Sequence, residues 1–304
     1  MGHDHHHDHC HTAPNHNRAF AIGVALNLAF VVIEALYGFR AHSLSLLADA
    51  GHNLGDVMGL LLAWGAGILA TRLPSARRTY GLRRSSILAA LGNAVLLLLA
   101  VGGIVWEALA RFRTPEPVAS GVVVWVALIG IGINTATALL FMRGRKSDLN
   151  IRGAFVHMAA DAAVSAGVVV AALIMMRTGW LWLDPAVSVV IAIIIAVGTW
   201  GLLRDSVNLA LDAVPEGIEP DEVQAYLAQL PGVTAVHDLH IWGMSTTHVA
   251  VTAHLVKPGV ADDDALLAEA SRGLHDRFGI EHSTLQVERS EDVANCRQAP
   301  AEVV

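Results

Sequence analysis

The stretch Ser43–Ala70, SLSLLADAGHNLGDVMGLLLAWGAGILA, constrains this chain more than any other. It is long and apolar enough to cross a bilayer, yet it carries Asp49, His52 and Asp56. Ionisable groups at membrane depth are costly and mark a partner or a water-filled path. The helical repeat puts His52 and Asp56 one turn apart on one face. Asp49, His52, Asn53 and Asp56 together follow the i, i+3, i+4, i+7 pattern of a narrow polar stripe. A second apolar segment repeats the device, with His157 and Asp161 again four residues apart. Two such helices facing each other offer two imidazoles and two carboxylates. That donor set suits tetrahedral Zn²⁺ better than Mg²⁺ or Ca²⁺, which favour oxygen-only shells. Asp49 is expected to line or support the site rather than to ligate.

Six apolar segments, about 19–39, 43–70, 86–110, 118–141, 153–176 and 184–203, approach the ~20 residues a span requires. A hydrophobic content of 54% with only 15% charged residues fits a polytopic membrane protein with room for a soluble module. Basic residues in the connections set the orientation. Eleven, among them Arg72, Arg77, Arg78, Arg83 and Arg84, fall on one side; four, Arg40, Arg111, Arg113 and Arg177, fall on the other. Both termini are therefore expected in the cytoplasm of a cell-membrane (inner-membrane) protein. In the first segment, Glu34 reads equally as an interfacial residue or as part of a proton or water path. Gly51 and Gly55 are expected to let the second helix pack closely against the fifth. Asp184–Pro185 reads as an N-cap followed by proline at the first position of the sixth helix.

Residues 1–18, MGHDHHHDHCHTAPNHNR, hold seven histidines and Cys10 but nothing that can form a core. A disordered, metal-collecting tail is expected there. No cleavable signal peptide is recognisable in this tract. The cysteines, Cys10 and Cys296, lie near opposite ends, so no disulfide framework is implied. A net charge of −7, without a basic stripe, argues against nucleic acid as a partner.

After Asp205 the composition turns mixed. Residues 206–292 read as helix Pro220–Gln229, strands Ala235–Trp242 and His248–Val256, helix Asp262–Phe278 and strand Ser283–Glu288. That αββαβ order suggests a small α+β ferredoxin-like domain. Residues 293–304 are expected to be a loose tail. Six histidines crowd into this domain: His237, His240, His248, His254, His275 and His282. His237 and His240 flank one strand and His254 ends the next, which makes these three the metal-binding candidates. His248, His275 and His282 read better as solvated or hydrogen-bonded side chains.

Taken together, SLSLLADAGHNLGD, NIRGAFVHMAADAAVSAGVVVAALI, HDLHIW and TAHL resemble the cation diffusion facilitator family, and within it the zinc-type bacterial exporters of the cobalt–zinc–cadmium resistance kind. The resemblance implies a homodimer that exchanges cytoplasmic Zn²⁺ for protons; Cd²⁺ and Co²⁺ accept the same ligand set, so they are candidate further substrates. It implies a transport site of His52, Asp56, His157 and Asp161. It also implies tail-domain metal ligands at His237, His240, His254 and Glu288, with Gln286 as a weaker candidate, and Zn²⁺ there as a regulatory ligand. The connection Met142–Arg152 lacks the histidines that many relatives carry, a collecting role the N-terminal tract can take. An intramembrane metalloprotease is disfavoured because no His-Glu-x-x-His motif supplies a base beside the metal-bound water. A membrane-anchored metal sensor or store is the remaining rival, but an anchor needs no polar stripes in its spans.

Overall fold

A computed structural model of the chain describes residues 16–70, 72–141, 149–259 and 262–289. Side chains of 16–24 and 149–157, and of a few other helical residues, fall outside that description. The N-terminal tract up to residue 15, the tail from 290 with Cys296, and most of the connection 142–152 are outside it as well.

Long apolar runs fold into six long helices among the described residues: α1 (His16–Ala41), α2 (Leu44–Ala70), α3 (Ser85–Arg113), α4 (Ser120–Phe141), α5 (Leu149–Thr178) and α6 (Leu183–Ala210). Four described stretches, Ser85–Arg113, Ser120–Leu139, Met158–Thr178 and Leu183–Ala210, are long and apolar enough to cross a membrane. The sixth helix continues to Ala210, past the apolar run that ends at 203. The chain divides into two compact units, Met1–Val57 with Leu97–Ala196, and Met58–Leu96 with Val197–Val304.

In the first unit α4 packs on α1 and α5, with Phe30, Leu46, Val123, Val126, Val168 and Ile191 in the shared core. Gly130 of α4 makes this approach possible. A Cβ there would lie 2.7 Å from the Phe30 ring, so the buried ring would have to shift. Gly51 and Gly55 serve a different neighbour from the one expected. A Cβ on Gly55 would meet Leu97 of α3 at 2.1 Å, and one on Gly51 would reach Ile104 of α3 at 3.7 Å. Gly55 therefore admits α3 to the back of α2, whereas a Cβ on Gly51 would only touch α3 in ordinary van der Waals contact.

The start of α2 is fixed by an acid from another helix. Asp184 is fully buried, and its carboxylate accepts from Leu44 N (2.7 Å), Ser45 N (3.2 Å), Ser43 Oγ (2.7 Å) and Ser45 Oγ (2.6 Å). The two backbone N–H groups are orphan donors of a helical first turn, satisfied here from α6. The expected N-cap role of Asp184 for its own helix is thus corrected: the side chain caps α2, while its backbone oxygen accepts Ser188 Oγ at 2.7 Å. Arg111 of α3, nearly buried, lies 3.9 Å from the same carboxylate and also reaches Glu107, Glu116 and the His42 carbonyl.

In the second unit the C-terminal elements are α7 (Pro220–Ala228), β1 (Ala235–Gly243), β2 (Val249–Val256), α8 (Asp263–Phe278) and β3 (His282–Glu288), the αββαβ order read from the sequence. The sheet order is β1-β2-β3, with β1/β2 antiparallel and β2/β3 parallel. Pro220 opens α7 with Asp221 and Glu222 in its first turn, where acids complement the helix dipole. Asp262 caps α8 through Ala265 N, and Gly279 ends it in the left-handed conformation, φ 66°. Both helices bury one face, including Val223, Leu227, Leu266 and Leu274, against Ile241, Val251 and Leu255 of the sheet. Alternation along β2 aims those residues at the helices and His254 at the opposite face.

Candidate metal centres

The polar stripe on α2 meets α5 in a short ladder. His52 Nε2 lies 3.2 Å from Asp161 Oδ1, and its Nδ1 lies 3.9 Å from Asp56 Oδ2. On the same side, Asp49 Oδ2 accepts Ser165 Oγ at 2.9 Å. Because 49 pairs with 165 and 52 with 161, the two helices run antiparallel past each other, and each rung uses residues one helical turn apart. One donor atom each from His52, Asp56 and Asp161 lies within 4.8 Å of the others. Asp161 is almost fully buried, whereas His52 and Asp56 keep partial access. A dry carboxylate beside a more accessible pair is a donor set an ion can enter from one side. His157 sits on α5 one turn before Asp161, but its side chain is outside the described residues.

Asn53 Nδ2 donates to Glu34 Oε2 at 3.3 Å, which ties α1 to the back of the stripe. Glu34 and Asp49 are both fully buried. Asp49 accepts from Ser165 and so braces α2 against α5.

A second cluster forms in the tail domain. The register sets His237 opposite His254, and cross-strand partners share one face. Val256 is opposite Glu288 two positions on, so Glu288 joins that face from β3. His237, His254 and Glu288 bring donor atoms within 4.8 Å of one another. His254 Nδ1 lies 3.0 Å from Glu288 Oε1, and His237 Nε2 lies 3.4 Å from Glu288 Oε2. Both ring nitrogens of His237 are buried without a hydrogen bond among the described residues. Buried imidazole nitrogens left unbonded beside a carboxylate fit a tetrahedral cation that would be held by His237, His254 and Glu288. Gln286, opposite His254 in the register, donates to Glu288 Oε1 at 2.9 Å, which places its amide beside the three.

His240 is not among the three, although it shares their face. Residues three apart on a regular strand point to opposite sides, but a bulge intervenes: His237 pairs with His254 and His240 with Thr252. Asp238, at φ 52°, is the residue that the bulge absorbs. Its carboxylate touches His240 Nε2 at 3.0 Å and His254 Nε2 at 3.4 Å, linking the outer histidine to the cluster. Asp238 is a neighbour of the cluster that spacing alone does not reveal. A regular strand would turn it to the other face, and only the unusual backbone returns it. His248 bonds Ser245 and Thr247 and pairs with Glu281, while His282 sets its ring edge-on to Tyr80.

Beside this cluster, Lys257 is buried and donates to Asp263 Oδ1 at 2.9 Å. That hydrogen bond, with Arg289 adding to it, holds the Asp263 carboxyl below its usual range.

The match to known proteins extends over both units. Residues 20–209 match the family model described as the cation efflux transmembrane domain, and 215–290 match the cation efflux protein cytoplasmic domain. The chain is 36% identical over 303 residues to the metal cation efflux system protein CzcD of Cupriavidus metallidurans, covering 99% of this chain and 93% of that one. It is 36% identical over 291 residues to the zinc transporter ZitB of Escherichia coli, covering 95% and 93%. A cadmium, cobalt and zinc/H(+)-K(+) antiporter of Bacillus velezensis is 33% identical over 287 residues, covering 93% and 91%. The solved metal-bound C-terminal domain of the C. metallidurans CzcD transporter is 33% identical, covering 23% of this chain and 99% of that one, with a TM-score of 0.23. With both domain models matched in order and relatives aligned over nearly its whole length, this chain belongs to the cation efflux, or cation diffusion facilitator, family.

Proposed function

We propose that this protein exports Zn²⁺ from the cytoplasm in exchange for protons, with Cd²⁺ and Co²⁺ as further substrates. The observation that carries the reading is the approach of His52 on α2 to Asp161 on α5 at 3.2 Å, with Asp56 on the other side of the ring. Four ligands, His52, Asp56, His157 and Asp161, would hold the ion, with Asp49, Asn53 and Glu34 supporting them. Six spans in residues 19–205 carry the site, the N-terminal histidine tract collects metal, and residues 206–292 form a ferredoxin-like cytoplasmic domain. The protein works as a homodimer in the inner membrane with both termini in the cytoplasm.

A metal ligand must lose its proton, so Zn²⁺ and H⁺ compete for the same side chains. Open to the cytoplasm, the site takes Zn²⁺ and releases protons; open outward, it takes protons and releases Zn²⁺. Two aspartates offset the ion's charge, which lowers the cost of holding it inside a low-dielectric protein. In the tail, His237, His254 and Glu288 would bind Zn²⁺ as a regulatory ligand, with Asp238 orienting His254 and His240. Purified protein in vesicles, loaded with a proton gradient and given ⁶⁵Zn²⁺, tests the proposal. Uptake that follows the gradient and collapses with it is expected. Zn²⁺ binding without flux would instead indicate a membrane-anchored sensor or store.

A further inference from the structure

The connection 71–84, TRLPSARRTYGLRR, holds five arginines and no acid. Two of them line the same cavity. Arg72, just after α2, and Arg83, just before α3, border a space of about 880 Å³. Its apolar wall includes Ala66 of α2, Ala89 of α3 and Leu202 of α6. The loop Ser245–His248 closes another side, tied to α3 by Thr246 N donating to Ser86 Oγ at 3.1 Å. Arg83 is half-buried, yet among the described residues neither Arg72 nor Arg83 meets a carboxylate, whereas the neighbouring Arg84 pairs with Asp212. A half-buried guanidinium without an anion leaves a planar, multi-donor group available, and that geometry matches phosphate oxygens bidentately. Asn93, Thr247 and His248 add polar groups, but the surface of the cavity is mostly apolar, which a soluble anion has no use for.

We propose that this cavity binds one anionic phospholipid per protomer. Its phosphate is held between Arg72 and Arg83, and an acyl chain lies against Ala66, Ala89 and Leu202. Basic pockets among spanning helices at a cytoplasmic face recognise anionic headgroups in this way. The site rests on the cytoplasmic placement of connection 71–84 but not on transport, so lipid retention is read separately from flux and can fail while the exporter reading stands.

Delipidated full-length protein is titrated with phosphatidylglycerol and, separately, phosphatidylcholine, and bound lipid is counted by native mass spectrometry. Saturable retention of one phosphatidylglycerol per protomer is expected, at about tenfold lower concentration than phosphatidylcholine. The double variant Arg72→Gln/Arg83→Gln should lose that preference, whereas Arg77→Gln/Arg78→Gln, the same charge change in the same connection, should keep it. Ala89→Phe, which fills the apolar wall and leaves both charges, should also weaken retention, and it serves if the double variant does not fold. Equal retention of both lipids, an unchanged Arg72/Arg83 variant, or an equal loss in the Arg77/Arg78 variant overturns the proposal. Displacement of phosphatidylglycerol by millimolar inorganic phosphate overturns it as well, since the site would then be one for a soluble anion.

Discussion

The Ser43 hydroxyl donates to the Asp184 carboxylate at 2.7 Å across 141 positions of sequence, and with three further donors from Leu44 and Ser45 it pins the start of α2 to the start of α6. His52 lies about two helical turns along from this anchor. Hydrogen bonds to a buried charge contribute ~1.5–3 kcal/mol each, and an unsatisfied partner costs a similar amount. Asp184→Asn should therefore lower the thermal midpoint and reduce transport together, because the helix that carries His52 and Asp56 loses its fixed end. Ser45→Ala should give a smaller loss of about 1–2 kcal/mol. Paired melting and flux measurements check both.

In the tail domain, His237→Ala or His254→Ala should abolish one class of Zn²⁺ sites while the transport site continues to bind. Calorimetric titration of the full-length variants should show that class missing and the other intact.

Asp238→Asn keeps the shape of the side chain but removes the charge that faces His240 and His254. Groups that orient metal-binding imidazoles are worth ~10–100-fold in affinity. A weakening in that range, with stoichiometry unchanged, is expected from the same titration.

The pairing of Asp263 with Lys257 and Arg289 makes tail stability depend on acid. Its folded carboxyl titrates below the unfolded one, so the contribution is fully present above the unfolded carboxylate range and is lost as pH falls through the folded value. Asp263→Asn should be less stable than the parent at neutral pH, and the difference should vanish in strong acid. Melting across a pH series measures this.

Much of this was legible in the sequence because it is local and periodic. The long apolar runs, the stripe from Asp49 to Asp56 and the strand and helix patterns from Pro220 to Glu288 all appear where one-dimensional spacing places them. Relations that depend on a distant neighbour were not legible. Asp184 followed by proline looks like a cap for its own helix, and only packing turns the carboxylate to α2. Gly55 announces a close approach without naming the helix that makes it, which is α3. Asp238 hides inside HDLH because a bulge and a positive φ, which only the fold supplies, bring it beside His240 and His254.

The central claim is that His52, Asp56 and Asp161, with His157, form the path by which Zn²⁺ crosses. Its most direct test is ⁶⁵Zn²⁺/H⁺ exchange in vesicles for Asp161→Ala and Asp56→Ala, each confirmed folded and inserted. Exchange should fall to the level of protein-free vesicles in both. Exchange that persists at the parental rate in either variant would contradict the account.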